Sequence, residues 1–382
     1  MSEAIIHDSG DWKGNPRTHV IVIGVSHYPF LKNGGASAND AASLGQLMSP
    51  VASAHAIAKW FIDEYNYPDA PTGTVAMLTS DKPRKQFTKS SGEEVVPVLA
   101  KTEAVKLAIE AWAERGNEHE DSRLVFAFCG HGYGYGSETS LLLREFDFRR
   151  GNPWEDALDL GKLRAGTEKY AAFQQLFLID ACRKPHGDLV APGAAIGVTP
   201  VSATSKPREN FTRKRISPLI FSTGFDEPAR ARRGDLSVFT QAFLAAVNGM
   251  GARDDTDEWV VNNLTMLEAI HHVSVRLTGE DFIDPQQPQG ADAQWLEFHK
   301  LKQPPIAPVY VSWDDGKPLG PGEIRYQLGG TDRVNSCSKD DEELKLDLPY
   351  GEYDIALYHA GQLVARNAGA RSSPLFKLAK LV

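Results

Sequence analysis

Five short apolar runs constrain this 382-residue chain more than any other feature. THVIVIGV (18–25), GTVAMLTS (73–80), SRLVFAFCGHG (122–132), QQLFLIDAC (174–182) and SPLIFSTG (217–224) are continuous rather than alternating, and several are rich in β-branched and aromatic residues. Such runs fit strands buried on both faces. Segments with helical spacing lie between them. In 50–65, Val51, Ala54, Ile57, Ala58, Phe61 and Ile62 fall on one helix face. The stretch 102–116 opens with Thr102 as N-cap and closes at Gly116. Helices are also expected over 237–247 and 263–277. Strands alternating with helices specify an α/β fold with a mostly parallel sheet, whose sites lie at the C-terminal ends of the strands. Residues 1–17 read as a loose tail and 82–99 as a polar loop insertion.

The texture changes at KLKQPPIAP (300–308), where three prolines mark a linker. Beyond it, the runs at 309–313, 322–328, 342–348, 353–359 and 362–368 alternate apolar and polar residues between turns. That pattern specifies a small antiparallel β-domain, read as a sandwich. The expected organisation is a tail at 1–17, a main domain at 18–299, a linker at 300–308 and a β-sandwich at 309–382.

The formal net charge of −9 argues against a general affinity for nucleic acid or an anionic membrane. No stretch approaches the roughly 20 apolar residues of a spanning helix, and the first residues lack the basic start and apolar core of a signal peptide. Three cysteines, Cys129, Cys182 and Cys337, are too few for a disulfide framework and fit a reducing cytoplasm.

Two of the expected strands end in reactive residues. A cysteine nucleophile needs exposure and a base partner, because a free thiol with a pKa of about 8.5 is mostly protonated at neutral pH. Cys182 emerges from the run LeuPheLeuIle (176–179), and His131 emerges from another, between Gly130 and Gly132. If the two strands are neighbours, the imidazole and thiol meet at the sheet's edge. The N–H groups of Gly132 and Cys182 can then form an oxyanion hole. Taken singly, Cys182 reads as a buried small hydrophobe and His131 as a turn residue; together they point to catalysis. Cys129 reads as core or pocket wall. His271 and His272 lie in an apolar helical pattern that suits surface or core roles better than metal ligation.

These segments resemble the caspase and metacaspase superfamily. FAFCGHGYG looks like its strand–HisGly segment and LFLIDACR like its nucleophile strand. The separation of 51 residues matches the roughly 50 residues between His and Cys in caspases. IGVSHYPFLKNGGASANDA (23–41) resembles the opening of these domains, and SVFTQAFLAAV (237–247) one of their helix starts. The resemblance implies a three-layer α/β/α caspase-like fold over about 18–299 and a cysteine endopeptidase acting through a Cys182–His131 dyad.

Caspases that cut after Asp read Gln-Ala-Cys at the nucleophile, whereas this chain reads Asp180-Ala181-Cys182. Metacaspases carry an Asp at that place and another in an AsnAsp step, matched here by Asp180 and Asp40. Two carboxylates at a pocket floor attract a cationic side chain. The resemblance therefore implies protein or peptide substrates cut after Arg or Lys. Asp40 is also a plausible helix N-cap, whereas Asp180 inside an apolar strand needs a partner. The chain departs from metacaspases after the nucleophile, where Arg183-Lys184-Pro185 replaces HisSerGly. Their calcium site has no clear counterpart; Asp156, Asp159 and Asp188 are the candidates. No cofactor or metal is expected, with calcium dependence left open.

Residues 198–217 correspond to the loop cut when caspases are activated. Lys206, Arg208, Arg213, Lys214 and Arg215 there are self-cleavage candidates for a peptidase preferring basic residues, and the loop is the favoured gate over the acidic pocket. The plain alternative is a solvated charged loop. The β-domain is the second gate candidate, or a dock for an activator protein. By analogy the setting is a microbial stress or antiviral defence pathway. The competing function is a catalytically silent caspase-like scaffold. A nucleotide-binding protein is disfavoured because VIVIGVSHYP lacks a glycine-rich phosphate loop.

Overall fold

The computed structural model describes residues 4–36, 44–135, 138–148, 152–183, 197–201, 213–223, 235–255, 258–278, 288–291 and 294–381. The chain forms two compact units, one of Met1–Leu244 with Val273–Leu296, the other of Ala245–His272 with Glu297–Val382.

The first unit runs β1 (Ile5–Asp8), β2 (Thr18–Val25), α1 (Pro50–Asp63), β3 (Thr72–Ser80), the short strands β4 (Phe87–Thr88), β5 (Glu94–Val95) and β6 (Val98–Leu99), α2 (Thr102–Arg115), β7 (Arg123–Gly130), β8 (Gly132–Tyr135), β9 (Glu138–Leu142), β10 (Ala157–Asp159), α3 (Leu160–Thr167), β11 (Gln174–Ala181), β12 (Leu219–Phe221) and α4 (Val238–Ala245). Its main sheet is ordered β1-β3-β2-β7-β11-β12-β15, where β15 is Gln289–Ala291. The centre is parallel, and β1 and β15 pair antiparallel at the two edges. Alternate residues divide between two layers. Ile21, Ile23, Phe126, Phe128, Phe177 and Ile179 join a core with Ile109 and Trp112 of α2. The opposite face carries α1 and α4, which meet where the ring centroids of Trp60 and Phe243 lie 5.7 Å apart. This is the expected α/β/α arrangement.

Several local expectations fail for identifiable reasons. The tail at 1–17 is structured in part, because β1 buries Ile6 and pairs with β3. Residues 82–99 hold a β4–β5 pair and β6, which lies parallel to β3. Thr102 is the first helical residue and not the cap: its N–H reaches Glu145 Oε2 at 2.9 Å and its hydroxyl Asp156 Oδ1 at 2.5 Å. Side chains from outside the helix here do the work of a local cap.

The second unit contains β13 (Ala252–Asp255), β14 (Glu258–Asn262), the first part of α5 (Asn263–Thr278) and β16 (Glu297–Lys300), which form a three-stranded sheet and its helix. It continues as β17 (Ile306–Trp313), β18 (Gly322–Leu328), β19 (Thr331–Cys337), β20 (Glu343–Pro349), β21 (Gly351–His359), β22 (Gln362–Ser372) and β23 (Lys377–Leu381). Two sheets, β20-β17-β23 and β19-β18-β21-β22, enclose a core that includes Val309, Val311, Ile324, Leu346, Ile355 and Leu357. The sandwich is not wholly antiparallel, since β23 joins β17 in parallel. The compact unit also reaches back beyond the expected boundary at 309: residues 245–272 and 297–308 belong with it. Pro308 lies inside β17, where its missing N–H is tolerated because pairing to β23 begins one residue later, at Val309.

Candidate active site

The sheet register brings the two reactive residues to one place. β7 and β11 are adjacent and parallel, with Asp180 opposite Cys129 and Ala181 opposite Gly130. One further step sets Cys182 opposite His131, both just past the C-terminal ends of their strands. Cys182 is half-buried, and His131 retains 7% exposure.

β8 then continues along the chain that leaves β11. A Cβ built on Gly132 would lie 2.4 Å from the Cys182 carbonyl oxygen, so only glycine permits this approach. The Leu142 N–H donates to the His131 carbonyl at 2.9 Å, which makes 131 and 142 the bonded pair of the β8–β9 ladder. The next pair, Gly132 and Leu141, is then non-bonded, and the Gly132 N–H is directed away from β9.

His131 is held on several sides. Its Nε2 is 2.8 Å from the Gly45 carbonyl, which only accepts, so Nε2 carries a proton and, in the neutral ring, Nδ1 is the acceptor. Its backbone N–H donates to the Tyr28 hydroxyl at 2.8 Å, and the two rings lie 4.9 Å apart.

Asp180 is 6% exposed and faces the α1/α4 layer. The hydroxyls of Ser237 and Thr240 both donate to its Oδ2, Thr240 at 3.3 Å, and Oδ1 is the oxygen left over. Ser237 also accepts the Thr240 N–H at 3.0 Å, capping α4, so the positive end of that helix points toward the carboxylate. Burial pushes Asp180 up to about 6, against the pull of the two hydroxyls. Cys129, its register partner, is a buried core thiol raised first by burial and then by Asp180. Arg183 is 4% exposed: its guanidinium lies 3.8 Å from the Phe221 ring centroid, and burial lowers it to about 10.

Other expected site residues are dispersed. Asp40, Lys184, Asp188, Lys206 and Arg208 lie outside the described residues. Arg213 pairs with Asp121, and Arg215 donates to the carbonyls of Ala172, Glu168 and Tyr170 at 2.6, 2.6 and 2.8 Å. Ile216 is bridged to Gln174, the first residue of β11. These basic residues therefore sit at the N-terminal end of the sheet, eight residues and about 26 Å of strand from Cys182. Arg213, Arg215 and the exposed Lys214 between them do not occupy the place expected of a gate over the pocket. Asp156 accepts from Thr102, and Asp159 caps α3 through the Lys162 N–H at 2.8 Å. Among the described residues no group of three His, Cys, Asp or Glu side chains gathers to hold a metal. His271 and His272 form a ring pair on α5, with His272 exposed.

The caspase-domain family model, Peptidase C14, matches residues 17–304. The chain belongs to the caspase family. It is accordingly a cysteine peptidase, and the matched span contains both His131 and Cys182. Among curated proteins, the uncharacterized protein y4kE of Sinorhizobium fredii is 26% identical over 314 residues, 71% of this chain and 88% of that protein. Among solved structures, Caspase-1 from Spodoptera frugiperda aligns with a TM-score of 0.43 at 15% identity, over 76% of this chain and 93% of that one.

The sequence alone carries no signal that brings Tyr28, Gly45, Gln46, Ser237 and Thr240 to this region. Ser237 and Thr240 lie in a segment whose pattern is that of a helix start, and Tyr28 in one whose only mark is its resemblance. A backbone carbonyl such as that of Gly45 leaves no residue signature.

Proposed function

We propose that this peptidase is an endopeptidase that cleaves after Arg or Lys, with Cys182 as nucleophile and His131 as its base. The reading rests chiefly on Asp180. It lies two residues before Cys182, and positions i and i+2 of a strand share a face, about 6.6 Å apart along it. A substrate whose scissile carbonyl sits at Cys182 can extend a long cationic side chain to the carboxylate. Oδ1 is available to receive it. An acidic side chain would meet a like charge there.

In this reading His131 Nδ1 takes the thiol proton. The thiolate attacks the carbonyl carbon, and the N–H groups of Gly132 and Cys182 stabilise the oxyanion. His131 gives the proton to the departing amine, leaving an acyl-enzyme. Water, deprotonated by His131, then releases the acid and restores the thiol. Asp40 is proposed as a second carboxylate for the same cation. Self-processing, in turn, is proposed at Lys206 or Arg208, since Arg213 and Arg215, with Lys214 between them, are held at the far end of the sheet. A library of fluorogenic peptides differing only before the scissile bond tests the specificity. Arg and Lys peptides should be cleaved and Asp peptides should not; faster turnover of Asp peptides overturns the reading.

A further inference from the structure

We infer that Tyr28 and Gln46 are positioning residues that fix the ring orientation and tautomer of His131. The inference rests on the proposed role of His131, but its geometry stands apart from any turnover. In a regular ladder the His131 N–H would donate to the Leu142 carbonyl. Instead it donates to the Tyr28 hydroxyl at 2.8 Å, which in turn donates to the Leu142 carbonyl at 3.3 Å. The phenol is wedged into the ladder beside His131. A Cβ on Gly130 would lie 2.8 Å from that hydroxyl, so glycine makes its room.

The same tyrosine is read at its backbone by Gln46. Gln46 Oε1 accepts the Tyr28 N–H at 2.8 Å, and Nε2 donates to the carbonyls of Tyr28 at 3.0 Å and Lys32 at 2.9 Å. The residue before Gln46 is Gly45, whose carbonyl accepts from His131 Nε2. A closed circuit results. His131 backbone is tied to the Tyr28 side chain, Tyr28 backbone to the Gln46 side chain, and Gly45, adjoining Gln46, back to the His131 ring. Without the Gln46 amide, the Gly45 carbonyl loses this tie to Tyr28. The imidazole then samples other rotations and the opposite tautomer, which places a proton on the nitrogen meant to accept one.

The test uses the full chain with 15N-labelled histidine, with His131→Gln supplying the assignment. In the wild type the imidazole nitrogens of His131 should report one tautomer, protonated at Nε2. Gln46→Ala should give a mixture, and Tyr28→Phe a smaller change in the same direction. Gln46 is only half-buried, so its substitution leaves the fold intact, as a thermal melt will register. On an arginyl peptide, kcat of Gln46→Ala should fall by about 10²-fold, the order that a misplacement of 1 Å costs, with KM within about twofold. An unchanged tautomer in folded Gln46→Ala overturns the inference. Failure of the peptidase reading shows elsewhere, as alkylation of wild-type Cys182 by iodoacetamide that is no faster than in His131→Ala.

Discussion

At the scale of the residue, the proposed chemistry turns on three side chains with separable roles. Cys182→Ala removes the nucleophile and little volume, so it should abolish peptide cleavage while the melting temperature stays near that of the wild type. His131→Ala should lose most activity, because the thiol loses its proton acceptor. Turnover retained by either purified variant would refute the dyad. Asp180 gives a pH signature. Its folded pKa, about 6, is raised above the unfolded value by burial. The favourable contribution of that shift is therefore full below about pH 3.9 and is lost as pH rises through about 6. Asp180→Asn should accordingly raise Tm more at pH 8 than at pH 5, as read by calorimetry. Recognition has the opposite sign, since only the carboxylate attracts a guanidinium. His131 also titrates in this range, so the informative measure is the ratio of kcat/KM for an arginyl peptide to that for its neutral citrullyl analogue. That ratio should fall about tenfold per unit as pH drops below 6, the free-enzyme pKa governing kcat/KM. A ratio that is flat with pH would remove Asp180 from the pocket.

At the scale of the element, the close approach of β8 to the chain leaving β11 is the most demanding contact in the site. Gly132→Ala places a Cβ where the Cys182 carbonyl oxygen stands, 2.4 Å away. The main chain must shift, and the Gly132 N–H proposed for the oxyanion hole and the Cys182 thiol shift with it. We expect activity to fall by about 10²-fold or more with a much smaller change in Tm; activity within about twofold of the wild type would show that Gly132 is not part of the hole. The same scale shows what could be read in advance. Strands β2, β3, β7 and β11 announce themselves because burial on both faces demands continuous apolar runs, and that puts His131 and Cys182 each at a strand end; that the two strands are neighbours is a matter of sheet order, which the runs do not encode. β1 is only four residues, IIHD, and its pairing with β3 comes from tertiary contact rather than local pattern. α3, LGKLRAGT, hides behind two glycines, and its N-cap, Asp159, reads from sequence as readily as a calcium-ligand candidate. The tie from Gln46 through Tyr28 to His131 spans 18 and 103 residues of chain. No local signal carries such separations.

At the scale of the whole molecule, the parallel sheet dictates where a cut can be made and survived. The chain leaves β11 at the reactive end, and β12 is parallel to β11, so the connection must return to the opposite end of the sheet before β12 begins. It is anchored there by Arg213 on Asp121 and by Arg215 on three carbonyls of the turn after α3. A break after Arg215 would require this clasp to open beside the Ile216–Gln174 bridge, at the N-terminal end of β11. A break after Lys206 or Arg208 leaves the clasp intact. β12 then stays between β11 and β15, and the new C-terminal fragment remains seated. The expected outcome for an active preparation is two bands on a denaturing gel but a single species of unchanged size on gel filtration, with intact-mass spectra placing the cut after Lys206 or Arg208 and an unbroken chain in Cys182→Ala. Arg215→Ala should loosen the fragment, so that the nicked form separates at lower denaturant than the nicked wild type. A cut mapped after Arg213 or Arg215 in the folded protein would show that the clasp opens readily, and that the basic residues at the far end of the sheet are substrate after all.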